Sequence, residues 1–411
     1  MNKKNYPHVI YTYKGLQRIL LCLIFTSLLA KKAKTQQFNN WYFPLQNGIT
    51  FNTNPPSSLA GSQLGTTPTA AFASATISDN NGNLLFSSDG VKVWDRNNNQ
   101  MPNGLGLLGR NTRLNGVLIV PFINDPKKYY LFTSEGFQTI SNRPDSLKYC
   151  YSILDMDANN GLGDIIIKNN FIKNFSAEKM VAIPHANGTD IWWICRDWQN
   201  HFFSYKVTCQ GIDTSFKVVS TIGNNLNNNT NLIYGDIKAS SDGKYIASCY
   251  RDYFEVYQFD NSTGILGSPI KINNTANNYG VEFSPNSKLL YVTQRFDNPM
   301  FDIGSQITQF SLMNYDSASI VNSLSIVSQP FFPFGIGTEG CLQLGPDNKI
   351  YFTGINTGLR IGRIEFPNIQ GVGCLVRDSI FLLQNIIRRR LPYSYVNLIT
   401  SQNVQIPSYT V

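Results

Sequence analysis

The fold is decided by a stretch that reads FSPNSKLLYV and runs from Phe283 to Val292. A short apolar strand leads into a polar turn, and a second apolar strand follows the turn. Ser284 and Pro285 are typical turn-entry residues, and Asn286 can hydrogen-bond to its own backbone. The pattern therefore predicts a β-hairpin.

The same pattern recurs along the chain. Three further copies are clear, namely Thr76–Phe86, Ala239–Ile246 and Leu344–Phe352. Two looser copies are Val117–Phe132 and Met180–Ile194. Each copy is followed by more strand-like sequence, and the turns are spaced by roughly 40 to 60 residues, which indicates a four-stranded repeat with outer loops of unequal length. Six such repeats are countable.

The two ends of the repeat region supply a further unit. Trp41–Phe51 and Tyr393–Ile399 are both strand-like, and joining them would close a ring. We therefore predict an all-β fold, a β-propeller of seven four-stranded blades closed by pairing of the N- and C-terminal strands. No linker divides the sequence, so residues 36–411 are expected to form a single propeller domain.

Residues 1–35 predict a signal peptide. The basic n-region contains Lys3, Lys4, Lys14 and Arg18. An apolar core, Ile19–Ala30, follows, and it is too short to anchor the chain across a bilayer. We expect cleavage after Thr35, with cleavage after Ala30 as the alternative. The protein is thus expected to be exported, to the periplasm, the cell surface or the medium, without a transmembrane anchor.

The formal net charge of +8 does not predict a nucleic-acid partner. Residues 1–35 hold seven Lys or Arg and no acidic residue, which leaves 27 basic and 26 acidic residues in the rest of the chain. The run Arg388–Arg390 is interpreted as a solvated turn or strand end rather than as a site for an anionic ligand.

Groups suited to catalysis or metal binding are sparse. Beyond residue 35 there are only two histidines, His185 and His201. Both lie beside polar turns, and we interpret them as turn residues. The segment Asp155–Gly161 resembles the opening of a calcium loop, but Asn160 and Ile166 occupy the positions that need glycine and glutamate. No catalytic residue, metal or cofactor is predicted.

Polar residues on the predicted inner strands of the blades suggest a ligand site instead. Glu178, Lys179 and Glu282 would face the central channel, and His185 would lie nearby, so these four residues are the predicted ligand-binding set at one mouth of the channel. The ligand site is the functional alternative, and the favoured interpretation is a ring of mutually paired, hydrated channel residues that also includes Asp236, Lys238 and Gln343.

Several short motifs resemble a known family, the N-terminal β-propeller (WD40/YVTN-like) region of secreted surface proteins of Bacteroidetes that are associated with gliding-motility-type C-terminal sorting domains. The matching motifs are Asn40–Phe43, Ala75–Asp79, Gly82–Phe86, Asp89-Gly90, Val93–Asp95, Met101–Gly104, Asn160–Asp164, Glu178-Lys179, His185–Gly188 with Asp190, Tyr279–Pro285 and Gly371–Cys374. The resemblance implies a propeller that serves as an interaction module. No sorting domain follows the predicted closing blade before Val411, so a periplasmic product or a shortened relative is an alternative to surface display.

These observations favour an exported, non-enzymatic propeller that mediates protein or polysaccharide binding at the bacterial cell envelope. The first alternative is a lactonase-like hydrolase or lyase in which Glu178, His185 and Glu282 act as acid and base groups. The second is a scaffold subunit of a secretion or motility complex. The enzyme alternative requires these three side chains to share one cavity.

Overall fold

A computed structural model describes residues 36–64, 73–112, 115–135, 147–226, 235–273, 277–298, 302–328, 340–353, 360–383, 391–393 and 395. The predicted signal peptide and Arg388–Arg390 lie outside this part of the chain. Within it, no helix is both long enough and apolar enough to cross a membrane.

The described residues form seven antiparallel sheets that follow one another along the chain. The first sheet comprises β1 (Asn40–Phe43), β2 (Asn47–Thr50) and β3 (Ser57–Ala60). The second comprises β4 (Ala75–Ser78), β5 (Leu84–Ser88), β6 (Lys92–Asp95) and β7 (Gln100–Leu105). The third comprises β8 (Val117–Pro121), β9 (Lys128–Ser134), β10 (Lys148–Asp155) and β11 (Asp164–Asn174).

The fourth sheet comprises β12 (Ser176–Pro184), β13 (Ile191–Asp197), β14 (His201–Thr208), β15 (Gly211–Ile212) and β16 (Val218–Thr221). The fifth comprises β17 (Ile237–Ala239), β18 (Tyr245–Tyr250), β19 (Tyr253–Asp260), β20 (Ile265–Leu266) and β21 (Ile270–Asn273). The sixth comprises β22 (Asn277–Phe283), β23 (Leu289–Asn298), β24 (Asp302–Ser311) and β25 (Ser325–Ile326).

The seventh sheet comprises β26 (Leu342–Leu344), β27 (Ile350–Thr353), β28 (Arg360–Ile364) and β29 (Val376–Leu382). The helical elements are short: α1 (Ala158–Gly161), α2 (Ser317–Asn322) and a 3-10 turn at Gly371–Cys374. All six hairpins predicted from the repeat are present as the first two strands of sheets two to seven, so the repeat is confirmed.

The sheets are the blades of a propeller, and we number them 1 to 7 in chain order. The first strand of each blade contacts the first strand of the next, through the pairs β1–β4, β4–β8, β8–β12, β12–β17, β17–β22 and β22–β26. Blade 7 packs against blade 1 and closes the circle of blades. The aromatic ring of Tyr351 in blade 7 lies 5.4 Å from that of Trp41 in β1 and 5.3 Å from that of Phe51, which follows β2. The predicted seven-bladed β-propeller is confirmed.

The predicted closing strand, Tyr393–Ile399, falls mostly outside the described residues. Of this segment the structure describes Tyr393 and Tyr395, and both side chains are buried. The described part of blade 1 contains the three strands β1, β2 and β3.

The hairpin turns form for the local reason that the sequence suggested. The Ser284 hydroxyl accepts a hydrogen bond from the Leu289 N–H at 2.9 Å, and the Ser240 hydroxyl accepts one from the Tyr245 N–H at 2.9 Å. Gly243 completes its turn at a φ of 68°, a left-handed conformation that glycine adopts without a Cβ clash. Side-chain caps of this kind fix where each inner strand ends.

The core lies between the blades rather than in one central layer. Trp193 of blade 4 is fully buried, with its ring 4.7 Å from the ring of Phe132 in blade 3 and 5.6 Å from that of Tyr149. Burial of aromatic side chains at each blade interface makes neighbouring blades depend on one another for stability.

The cysteines also belong mainly to these packed layers. Five are buried free thiols, Cys150, Cys195, Cys249, Cys341 and Cys374, whereas the free thiol Cys209 is exposed. The interpretation of most cysteines as buried free thiols is confirmed.

Candidate functional site

The first strand of each blade is its inner strand, since it contacts the first strand of the next blade. These inner strands run in the same direction, so the propeller has two distinct ends. One end holds the first residues of the inner strands. There the Asp236 N–H, just before β17, donates a hydrogen bond to the Tyr279 carbonyl of β22 at 2.7 Å. At the other end the hairpin turns meet, as where the Asp242 N–H donates to the Ser287 hydroxyl at 3.2 Å. We call the first the entry end and the second the turn end.

Glu178 and Lys179 lie near the entry end, in an irregular part of β12. The pairing of β12 with β13 shifts register between Ser176 and Met180, and Glu178 has a φ of 57°. A non-glycine residue in the left-handed region is held there by its surroundings, at a cost on the order of 1 kcal/mol. Both side chains are buried rather than open to a channel mouth.

Lys179 is directed into the interface between blades 4 and 5. Its ammonium donates to the Gly235 carbonyl and, at 2.8 Å, to the Cys249 carbonyl. It also lies 5.1 Å from the centroid of the Tyr250 ring. Burial disfavours the charged form and lowers the pKa of Lys179 to about 7.

This lowered pKa predicts a specific dependence of stability on pH. Between pH 7 and the ordinary lysine pKa of 10.5, the unfolded chain holds the Lys179 proton and the folded chain does not, so the contribution of this group to the free energy of unfolding rises with pH. Relative to a Lys179→Met variant, the wild type should gain about 2 kcal/mol of stability between about pH 7 and pH 9. Urea denaturation at both pH values measures the gain.

The matched control is Lys206→Met, because the Lys206 side chain is exposed. The stability difference between the wild type and this variant should stay nearly constant over the same pH range. A difference for Lys179→Met that is equally constant would contradict a buried lysine that titrates near neutrality.

A second buried cation, Arg196, lies close to Lys179 and was not predicted. Its guanidinium donates to the Tyr250 hydroxyl and to the Asn224 carbonyl. The neighbouring negative charge comes from Glu255, which is buried and accepts a hydrogen bond from the Asn224 N–H at 3.2 Å. The charged groups at the interface between blades 4 and 5 therefore make their contacts with other groups of the protein.

The polar side chains on the inner strands of blades 5, 6 and 7 also bind one another. Lys238 donates to Gln343 Oε1 at 2.6 Å, and its Nζ lies 3.7 Å from Glu282 Oε2 and 3.8 Å from Asp236 Oδ2. Glu282 accepts a further hydrogen bond from the Leu344 N–H at 2.9 Å. Burial raises the pKa of Glu282, although the Lys238 charge opposes that shift. This arrangement agrees with the favoured interpretation of these side chains as mutually paired channel residues.

Tyr393 fills the centre of the ring. Its N–H donates to the Ser74 carbonyl of blade 2 at 2.9 Å, and its hydroxyl lies within hydrogen-bonding distance of the Met180 and Ile237 carbonyls, at 2.9 and 2.7 Å. The Lys238 ammonium lies 4.7 Å from the centroid of its ring. One residue thereby bridges blade 2 to blades 4 and 5.

His185 lies at the turn end, in the turn between β12 and β13. Its Nδ1 accepts a hydrogen bond from the Asn187 N–H at 3.0 Å, and its ring is stacked 5.3 Å from that of Trp192. Glu178 and Lys179 lie near the entry end, whereas Glu282 lies next to the last residue of β22. The structure therefore does not bring the four predicted residues together at one mouth, and their role in ligand binding stays a prediction.

A different group of side chains does converge at the entry end of blade 4. His201 Nδ1 lies 2.8 Å from Asp197 Oδ2, and Lys173 Nζ lies 3.9 Å from the same oxygen. Lys173 also lies 4.0 Å from the centroid of the Phe203 ring and 5.6 Å from that of Phe175. We call Lys173, Phe175, Asp197 and His201 the entry patch.

The entry patch combines several kinds of binding group on one accessible surface. Phe175 is 41% exposed, and its φ of 66° places it outside the regular path of the strand. The side chains of His201 and Lys173 are partly exposed beside it. An exposed aromatic face next to nitrogen donors can stack on a sugar ring and hydrogen-bond to its hydroxyl or carboxylate groups.

Sequence reasoning interpreted His201 only as a turn residue and missed the rest of the patch. One signal was present: Asp197 and His201 lie four residues apart, on either side of a predicted hairpin turn. Such a spacing places the two side chains close together across a turn. The proximity of Lys173 and Phe175 depends on β11 reaching blade 4, which the sequence does not reveal.

The segment that resembles a calcium loop is a capped turn. The Asp157 N–H donates to Asp155 Oδ1 at 2.9 Å, and Lys127 pairs with Asp157 at 2.6 Å. Among the residues that the structure describes, no group of three or more His, Cys, Asp or Glu side chains is placed to hold a metal ion.

Comparison with known proteins gives similarity of fold alone. No protein-family model matches the chain, and no curated protein matches it. Among solved structures, one from Bacteroides uniformis, named as a candidate 6-phosphogluconolactonase, is 13% identical with a TM-score of 0.48, covering 84% of this chain and 97% of that one.

Two further solved structures are similar to the chain. The β-propeller domain of Cps50 (Swd1) from Myceliophteria thermophila is 10% identical with a TM-score of 0.42, covering 78% of this chain and 94% of that one. Hsv2 from Kluyveromyces lactis is 10% identical with a TM-score of 0.41, covering 80% of this chain and 90% of that one. At these identities and scores, the similarities say nothing about what this chain binds.

Proposed function

We propose that this chain is an exported, non-enzymatic β-propeller that binds a glycan or a protein at the bacterial cell envelope, and that the entry patch is its glycan-binding site. The observation that carries the proposal is the exposed ring of Phe175 beside the Lys173 ammonium, which shares Asp197 with His201. The basic and apolar pattern of residues 1–35 supports export.

The polar groups at the ring centre are less suited to a ligand. Lys238 binds both Glu282 and Gln343, and the ring of Tyr393 lies 4.7 Å from the Lys238 ammonium. A ligand there would have to replace protein contacts that are already made, at a desolvation cost for each displaced polar group. The Lys173 and His201 side chains pair with Asp197 but are partly exposed, so a ligand can reach them without displacing the contacts at the ring centre.

The lactonase-like alternative is not favoured by the geometry. It requires Glu178, His185 and Glu282 to act on one substrate, but His185 lies in a turn at the turn end and Glu178 lies near the entry end. General acid and base groups must both reach the reacting atoms within hydrogen-bonding distance. These three side chains do not share a site.

A glycan array tests the proposed binding site. The full chain should bind at least one glycan class, and Phe175→Ala should weaken that binding about tenfold or more, because the stacking surface is lost. Lys173→Ala should weaken it as well, most strongly for glycans that carry carboxylates. Dissociation constants from titration calorimetry on the best glycan give the magnitude.

Phe216→Ala is the matched control, since Phe216 is 65% exposed and lies in the loop between β15 and β16. It should bind as the wild type does. Equal binding by Phe175→Ala and the wild type would rule out the entry patch. Absence of glycan binding by the wild type would limit the proposal to protein ligands.

A further inference from the structure

Exposed apolar side chains are concentrated on the outer edge of blades 6 and 7, on a surface separate from the entry patch. We call six of these residues the apolar edge, and each is between 45% and 76% exposed: Val321, Leu324, Ile326, Phe366, Ile369 and Val372. Monomeric proteins rarely display apolar side chains in such contiguous groups, and a group of this kind marks an interaction surface.

The two halves of the apolar edge form one surface. Blade 6 contributes α2 and β25, and blade 7 contributes the loop of residues 366–375, which contacts β25. A Cβ atom built on Gly371 in this loop would lie 3.8 Å from the Ser325 hydroxyl of β25. The exposed residues of β25 and of the loop therefore lie close together, with Leu324 directly before β25 and Val321 in the preceding helix α2.

Buried side chains of blade 6 fix the loop of residues 366–375 in place. The Gln309 amide donates to the Ile369 carbonyl at 2.9 Å and accepts from the Gly371 N–H at 2.7 Å. The Tyr291 hydroxyl donates to the Pro367 carbonyl at 2.9 Å. Gln309 and Tyr291 are both almost fully buried, so the loop is anchored from beneath.

The loop is also closed on itself, because the Phe366 N–H donates to the Cys374 carbonyl at 2.9 Å. Val372, at its tip, is the most exposed residue of the edge. A preorganised surface binds without the entropic cost of ordering a flexible loop. The exposure of these apolar side chains is therefore a fixed property of the fold.

The charge pattern indicates which partner fits. Residues 317–328 and 366–376 contain no Asp, Glu, Lys or Arg. A charged partner finds no complementary group on these segments, whereas a second copy of the same surface can face it without like charges in opposition. Residues 36–411 carry a net charge of only +1, so two copies repel each other weakly at long range.

We propose that two copies of this chain associate through the apolar edge, in a contact with two-fold symmetry. In such a contact each copy presents the same residues to the other, and the apolar side chains of both loops are removed from water. Homodimer interfaces are more apolar than other protein surfaces, which matches this composition. The inference is independent of the proposed glycan site, which lies on blade 4.

Sedimentation equilibrium of the full chain in detergent-free buffer tests the proposal. The weight-average mass of the wild type should rise from one chain to two between about 1 and about 100 µM. Val372→Lys and Ile326→Lys should each raise the dimer dissociation constant at least tenfold, because a contact with two-fold symmetry then places like charges opposite each other. Both positions are exposed, so unchanged thermal unfolding should confirm that the variants fold.

Phe216→Lys is the matched control, because it adds the same charge at an exposed apolar residue outside the apolar edge, and it should dimerise as the wild type does. A wild type that stays monomeric over the whole range would overturn the proposal. Dimerisation of Val372→Lys equal to that of the wild type would also overturn it, because association would then occur elsewhere, for example through residues 1–35.

Discussion

Replacing Glu282 by alanine is expected to lower the free energy of unfolding by roughly 3–5 kcal/mol. The carboxylate lies 3.7 Å from the buried Lys238 ammonium and accepts hydrogen bonds from the N–H groups of Phe283 and Leu344, at 3.0 and 2.9 Å. Its removal leaves the buried Lys238 cation with less compensating negative charge and leaves two buried N–H donors without their acceptor. Urea denaturation followed by far-UV circular dichroism measures the loss.

Two further variants test this reason. Glu282→Gln keeps an oxygen that can accept one of the two backbone hydrogen bonds, so it should lose less than the alanine variant. Lys238→Met removes the cation, and the double variant Lys238→Met/Glu282→Ala should be more stable than the sum of the two single losses implies. Exact additivity would show that the two side chains do not interact.

Tyr351→Ala is expected to lower the free energy of unfolding by a similar amount, roughly 3–5 kcal/mol. Tyr351 is fully buried, and its ring joins blade 7 to Trp41 and Phe51 near blade 1. The substitution leaves a cavity where the ring of blades closes. Urea denaturation measures the loss, and the tryptophan fluorescence of the protein, to which Trp41 contributes, should change.

Tyr351→Phe is the matched control. It keeps the contacts between the rings and loses the hydrogen bonds of the hydroxyl, including the one donated to Asp347 Oδ2 at 2.8 Å. A loss of about 1 kcal/mol is expected from that change. If Tyr351→Ala and Tyr351→Phe were equally stable, the ring contacts would not stabilise the closure.

The blades could be predicted from the sequence because the contacts that form each hairpin turn join residues that are close together in the chain. Ser240 and Ser284 cap their turns with contacts to residues five positions further along the chain. Such contacts depend only on the residues of one short segment, and similar turn residues recur along the chain. Counting the turns therefore predicted six of the blades, and the strand-like segment Trp41–Phe51 correctly indicated the seventh.

The candidate site was less predictable because it depends on contacts between distant segments. Lys179 was expected to face the channel, but the shifted register near Ser176 places its ammonium against carbonyls of blade 5. Between Ser176 and Met180, β12 contains two residues more than the paired part of β13, and no residue type in the sequence predicts such a shift. The entry patch likewise requires β11 of blade 3 to bring Lys173 beside Asp197 of blade 4.

The position of Tyr393 also could not be predicted from the sequence. The sequence around it is strand-like and predicted a place in the closing blade, yet its side chain lies at the ring centre and contacts the carbonyls of Met180 and Ile237. Its partners are distant in the chain and are backbone atoms, which carry no signature in the sequence.

The position of Tyr393 has a consequence for the order in which the protein is made. Its hydroxyl meets a carbonyl at Ile237, 156 residues earlier in the chain. Translation at 5–20 residues per second needs roughly 8 to 30 s to cover that distance. Blades 4 and 5 therefore leave the ribosome long before the residue that spans them exists. The contacts of the Tyr393 hydroxyl with the Met180 and Ile237 carbonyls can therefore form only after both blades have been synthesised.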